Sequence, residues 1–291
     1  MKPSFVVVSD YSFSETLGGA EINAESLVER FQEHDYDVPI VRSSDLTINF
    51  LQKNTHKVYI FSNFVKLKKE CRQYAINNLK YFIYEQDHKY LKSRNPIGYE
   101  DFLAPKHQIV NLDFYEKAIK VLFLTKLSMQ IFKKNTKLEN LLNLRSSVWR
   151  SRELKYIRKI CNNPKNKKIA ILESTNPVKR TTDCIKYCNL KGLDYQLIKD
   201  INFNNFMFKM SKFSKLLFLT GHVETCARIV VEAKMLNLKV IMQKKFIGAA
   251  SEDWFSLSGE PLIDEMEKIS HNMPLEIIKA LQNKENNNEI E

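Results

Sequence analysis

Leu216-Leu217-Phe218-Leu219-Thr220-Gly221-His222-Val223-Glu224-Thr225-Cys226-Ala227-Arg228-Ile229-Val230-Val231-Glu232-Ala233 is the stretch on which the fold turns. Its apolar opening reads as a buried strand, residues 225–236 as a helix, and Lys239-Val240-Ile241-Met242 as the next strand. Strand, helix and strand in that order describe a parallel pair joined by a helical crossover.

The same alternation extends outward. Between the polar run 162–168 and this stretch lie a strand at 169–172, a helix at 182–190 and a strand at 195–198. Upstream, strands are predicted at 5–9, 37–41, 58–62, 81–84 and 121–124, with helices at 20–31 and 65–77. Repeated strand–helix alternation implies layered α/β domains with parallel sheets. The pattern breaks at 143–150, which divides the chain into two Rossmann-like domains, residues 1–147 and 148–291. Such a pair is expected to face each other across a cleft, since open parallel sheets bind ligands beyond their strands' carboxyl ends. The polar tail from Asn283 reads as frayed.

The chain has 291 residues, a formal charge of +11 and no apolar run of spanning length. Phe5-Val6-Val7-Val8-Ser9, ending before Asp10, reads as a buried first strand, since it lacks a signal peptide's length and small-residue cleavage site. Five cysteines, an odd number, point to free thiols and a cytoplasmic setting. The pairs Cys184/Cys188 and His222/Cys226 sit one helical turn apart, yet no second pair has zinc spacing, so no metal is expected. The scattered lysines suit phosphorylated ligands, anionic lipid or nucleic acid, and charge alone does not choose among them.

Two stretches carry chemistry. Gly18-Gly19-Ala20-Glu21 opens the first helix, where free amides and small residues admit a ligand, while neither dinucleotide nor phosphate-loop fingerprints occur. In the second, a helix from Thr225 separates Glu224 and Glu232 by about 12 Å along its axis and about 80° around it. Glu224 then stands at the helix start, beside amides open to a diphosphate, with Glu232 two turns deeper. Equally, Glu224, Arg228 and Glu232 have the spacing of a salt-bridge ladder. Asp35-Tyr36-Asp37 matches a metal-binding D-x-D but reads as a solvated turn.

Glu224-x7-Glu232-Ala233 resembles the E-x7-E segment of retaining GT-B glycosyltransferases, and Gly18-Gly19-Ala20-Glu21 resembles their GGAE opening. Asp87-His88 follows a strand where that family carries a histidine, and Asn176-Pro177-Val178-Lys179-Arg180 resembles its K-G phosphate segment. The resemblance implies a metal-independent transferase without cofactor, acting on a nucleotide diphosphate sugar with retention. It assigns catalysis to Glu224, His88 and Lys179, and donor binding to Gly18, Gly19, Lys179, Arg180, Thr225, Arg228 and Glu232. Within that set Glu224 and His88 would hold the sugar, Glu232 the ribose, and Lys179 with Arg180 the diphosphate. The first domain would serve the acceptor and the second the donor. The chain departs from the pattern with Glu173 and Ser174 in place of an arginine, Arg180 in place of glycine, and Cys226-Ala227 in place of an aromatic-glycine pair.

The implied partners are the nucleotide-sugar donor and a glycan, lipid-linked or small acceptor, with contact at the inner membrane surface compatible with the basic charge. Two competing readings keep the fold: a DNA base glycosyltransferase, and a non-catalytic module that binds sugar nucleotides or glycans.

Overall fold

The computed structural model describes residues 2–11 and 18–288, and groups them into two compact units. The first unit takes in the chain up to Val148 together with the residues from Ile269 onward; the second is Trp149–Lys268.

In the first unit the order is β1 (Phe5–Ser9), α1 (Gly19–Gln32), β2 (Ile40–Arg42), α2 (Ile48–Lys53), β3 (Val58–Phe61) and α3 (Lys69–Asn78). It continues through β4 (Lys80–Glu85), α4 (Leu112–Lys117), β5 (Val121–Phe123), α5 (Lys126–Thr136) and β6 (Leu141–Asn143). The second unit contains α6 (Ser151–Ile160), β7 (Asn166–Leu172), α7 (Thr181–Leu190), β8 (Tyr195–Ile198), α8 (Phe203–Ser211), β9 (Phe213–Phe218), α9 (Arg228–Met235) and β10 (Lys239–Met242). A final helix, α10 (Gly259–Asn288), begins in the second unit and ends in the first.

Both sheets are parallel throughout. The first has the order β2-β1-β3-β4-β5-β6 and the second β10-β9-β7-β8. All five residues of β1 and all four of β3 are buried, as expected of central strands covered on both faces. Val6 pairs with Tyr59 and Val7 with Ile60 across them. In the second sheet Ala170 pairs with Leu216 and Leu217 with Ile241. Crossovers leave β7 first toward β8 and then back to β9 on its other side, so the order in which strands are added reverses between β7 and β9. The carboxyl ends of two such strands are where an open α/β sheet presents a ligand crevice.

The expectation for the tail is corrected. Helix α10 continues through Asn288, past the residue from which the sequence predicts fraying, and it covers a segment for which no helix is predicted. Leu262, Met266, Ile269, Met273, Ile277 and Leu281, among its buried residues, follow the three- and four-residue spacing of a helix. Pro274 interrupts that run, and proline in a sequence ordinarily argues against a helix interior.

Candidate functional site

The loops after β7, β9 and β10 converge at the carboxyl end of the second sheet. After β7, Thr181 Oγ1 donates to the Leu172 carbonyl (2.8 Å) and accepts from the Ser174 amide (3.2 Å), which folds the loop back on itself. Pro177–Lys179 then form one 3-10 turn, capped by the Asn176 side chain on the Val178 amide. This turn sets Lys179 and Arg180 in front of α7. After β9, Gly221 donates to the Val178 carbonyl at 2.8 Å and packs against the Arg180 side chain. A Cβ added at Gly221 would stand 3.7 Å from the Val178 carbonyl and from Arg180 Cδ, an ordinary contact, so the hydrogen bond rather than the lack of a side chain joins the two loops.

Lys179 and Glu224 meet in this arrangement, Nζ to Oε1 at 2.8 Å. Thr220 Oγ1, not singled out in the sequence, lies 3.3 Å from the same carboxylate oxygen and 3.1 Å from the His222 carbonyl. His222 donates its Nδ1 hydrogen to the Val223 carbonyl at 2.8 Å, fixing the ring. Both members of the central pair remain partly open, the lysine side chain at 30% and the glutamate at 16%. Arg180 Nε bonds to Asp183 at 2.6 Å.

The helix expected from Thr225 is corrected: α9 starts at Arg228. Glu224 instead has strand-like pairing with Ile247, donating to Phe246 O (2.9 Å) and accepting from Gly248 N (2.8 Å). Ala227 stands before the helix with φ +63°, in the left-handed region. The helical separation computed between Glu224 and Glu232 therefore does not apply, and Glu232 lies one turn into α9 rather than two. The salt-bridge ladder is also only half made. Arg228 pairs with Glu232 (3.4 Å) and with Glu153 (3.3 Å), while Glu224 turns to Lys179.

Arg228 is built into the unit's interior. Its guanidinium lies 4.7 Å from the Trp149 ring centre and joins two buried carboxylates. Burial raises the Glu232 carboxyl above its usual range, Arg228 opposes that shift, and Glu153 adds to it. Thr225 is buried.

Two backbone positions explain departures noted in the sequence. Arg180 has φ +46° and Ala227 φ +63°, a region that glycine enters without steric cost. These are the two places where the resemblance leads one to expect glycine.

In the first unit, Gly18 caps α1 in an extended conformation, φ −86°, so it makes no turn that only glycine permits. A Cβ on Gly19 would meet no atom within 4 Å, so glycine leaves space here. Thr16 and Leu17 lie outside the described residues. His88 has φ +57°, is buried, and its Nδ1 lies 3.1 Å from the Tyr90 hydroxyl. Its neighbour Asp87 is paired with Lys89 and Arg94. At this sheet's own reversal point, between β1 and β3, Asp10 accepts from Ser43 and from the amides of Val65 (2.9 Å) and Lys66 (3.0 Å).

All five cysteines are free and buried, and Cys184 and Cys188 belong to the apolar cluster beneath α7. Among the described residues no His, Cys, Asp and Glu group has the makings of a metal site, and no helix is long and apolar enough to cross a membrane. Asp35-Tyr36-Asp37 lies in the turn after α1.

The sequence matches no protein-family profile and no curated protein. The structure resembles sucrose-phosphate synthase from Thermosynechococcus elongatus with a TM-score of 0.62 at 11% identity, over 99% of each chain. It resembles Anabaena HepE in complex with UDP and glucose with a TM-score of 0.55 at 10% identity, over 94% of this chain and 90% of that one. A glycosyltransferase from Rickettsia africae gives 0.51 at 12% identity, over 99% and 98%. At these identities the likeness is one of fold: this chain has an α/β fold of the GT-B type, with two parallel sheets.

Proposed function

We propose that this protein is a glycosyltransferase that moves a sugar, with retention, from a nucleotide diphosphate sugar to a hydroxyl of a glycan, lipid-linked or small acceptor. The observation that carries this reading is the Lys179–Glu224 pair at the reversal point of the second sheet. A partly open cation and carboxylate there match the two ends of a donor: phosphate oxygens and sugar hydroxyls. The fold likeness to HepE, which is bound to UDP and glucose, supports the same ligand class.

In this reading Lys179 turns from Glu224 to the diphosphate, and Arg180 turns from Asp183 to join it. The bond between sugar C1 and the diphosphate oxygen breaks, its electron pair leaving with the nucleoside diphosphate. The acceptor oxygen bonds to C1 and passes its proton to the leaving group. Negative charge grows on the diphosphate as it departs, so preorganised cations favour the transition state over the ground state. Glu224, released from Lys179, accepts hydrogen bonds from the sugar.

The reading assigns positioning parts to Thr225, Arg228 and Glu232, since Arg228 and Glu232 are already paired within the unit and Thr225 is buried. A ribose contact by Glu232 would require Arg228 to give up one of its two carboxylates. Gly18, Gly19 and His88 are assigned to the acceptor-side unit, the glycines as open floor and His88 as a packed support for the segment after β4. The test is to incubate the protein with a panel of nucleotide diphosphate sugars and follow release of the nucleoside diphosphate. Binding without release or transfer under every acceptor tried would leave a sugar-nucleotide-binding module instead.

A further inference from the structure

We infer that the outer edge of β8 is a self-association surface, on which a second copy of this chain pairs antiparallel and extends the four-stranded sheet into a sheet of eight. The starting observation is where exposed apolar residues fall. Among the described residues of the second unit, every large exposed hydrophobic side chain lies between residues 187 and 208. They are Tyr187 and Leu190 on α7, Leu197 on β8, Ile201 in the following loop and Phe208 on α8. Leu190 is 86% exposed and Ile201 80%. All five lie on β8 or on the helices and loop that flank it along the chain, and exposed apolar surface of this kind marks an interaction site.

Strand β8 is an edge of its sheet. Of the four edge strands in the two sheets, three carry features that discourage pairing. Strands β2 and β6 are three residues long, and β2 follows Pro39 and ends on Arg42. Strand β10 opens on Lys239 and is followed by Lys244 and Lys245. Strand β8, Tyr195-Gln196-Leu197-Ile198, has no charge and no proline of its own, and the charges that flank it, Asp194 before and Lys199 and Asp200 after, are of both signs.

The sequence of β8 also suits its own copy. A two-fold axis normal to the sheet keeps each side chain on its own face, so pairs form only between residues of equal parity. Centring the axis on Leu197 would set Asp194 against Asp200 twice, which like-charge repulsion disfavours. Centring it on Gln196 sets the two Gln196 amides opposite each other and Tyr195 of each copy against Leu197 of the other. No like charges then meet. Tyr195 is already seated on the apolar cluster of Ile169, Ile171, Cys184, Cys188 and Leu217, so each Tyr–Leu pair extends an existing core across the axis.

Light scattering on the full chain, with cross-linking of cysteine variants, tests this. Cα atoms of an antiparallel pair lie about 4.5–5.5 Å apart, within disulfide reach, and the native thiols are buried. The expected result is a dimer at micromolar concentration that Gln196→Cys links covalently with diamide, while Leu197→Cys and Ile241→Cys do not. Gln196→Lys, at an exposed position, should weaken the dimer roughly tenfold or more by opposing like charges, and Leu197→Asp should do so independently. A monomer throughout the concentration range overturns the inference. So does cross-linking through Leu197→Cys or Ile241→Cys in place of Gln196→Cys, or a dimer that both charged variants leave intact.

Discussion

Lys179 Nζ lies 2.8 Å from Glu224 Oε1, joining the loop after β7 to the loop after β9 across the point where the second sheet reverses its strand order. The lysine ammonium also stands 5.6 Å from the centre of the Phe218 ring at the end of β9. Glu224 is held from behind by its pairing with Ile247, so strand-like backbone fixes the carboxylate while the cation reaches it on a flexible stem. One partner is rigid and the other mobile, which suits a contact that opens when a ligand arrives.

Lys179→Ala and Glu224→Ala should each lower kcat by about a hundredfold or more, the scale of removing one preorganised electrostatic contact. Stability should hardly change, because a partly exposed ion pair contributes roughly 0–1 kcal/mol. Steady-state release of nucleoside diphosphate at saturating donor, read beside a thermal melt, separates the two effects. Full turnover in both variants would remove this pair from the site.

Ala227→Gly should stabilise the protein by roughly 0.5–1 kcal/mol, since a left-handed backbone costs a residue with a Cβ about 1–2 kcal/mol and glycine's greater freedom in the unfolded chain returns part of that. Arg180→Gly should also relieve backbone strain, but it removes a cation that faces the proposed diphosphate. Urea unfolding should therefore show a gain in both variants, while donor affinity falls only in Arg180→Gly. A loss of stability in Ala227→Gly would mean that its buried methyl contributes more than the backbone costs.

These two positions also show what the sequence could and could not reveal. The parallel strands were legible because buried β-branched and aromatic runs such as Phe5-Val6-Val7-Val8 need no tertiary context to be recognised. The Lys179 and Glu224 segments were singled out through a family resemblance, and their meeting in space was not part of that signal. The start of α9 was not. Arg228 to Met235 have helical spacing, and nothing local stops that pattern from running back to Thr225. What stops it is pairing between Glu224 and Ile247, more than twenty residues away, with Ala227 forced left-handed at the junction. Long-range pairing of this kind leaves no periodic trace. The partner of Arg228 was hidden for the same reason, since Glu153 and Trp149 belong to a distant part of the chain.

Glu232→Gln should change how stability depends on pH. Burial raises the Glu232 carboxyl above its unfolded value near 4.5. A raised carboxyl contributes stability that is fully present below the unfolded pKa and is lost as pH rises through the folded one. Wild type should thus gain stability relative to Glu232→Gln as pH falls from neutrality toward 4.5. Denaturant melts of both chains across that window check the sign. An opposite trend would mean that Arg228 dominates over burial.

A nucleoside diphosphate should raise the melting temperature, and the way it does so tests the charge arrangement. Lys179 and Arg180 each have an acidic partner before ligand binds, Glu224 and Asp183. Phosphate oxygens must compete with these carboxylates, so the thermal shift should weaken as ionic strength rises. At about a hundred times its dissociation constant the ligand stabilises by roughly 2.7 kcal/mol. Lys179→Ala should lose most of that shift, whereas Ala227→Gly should keep it. In the proposed site one lysine and one arginine, Lys179 and Arg180, supply the positive charge beside the diphosphate, so the shift should persist in EDTA. A shift that appears only with added magnesium or manganese would transfer that role from Lys179 and Arg180 to a metal ion.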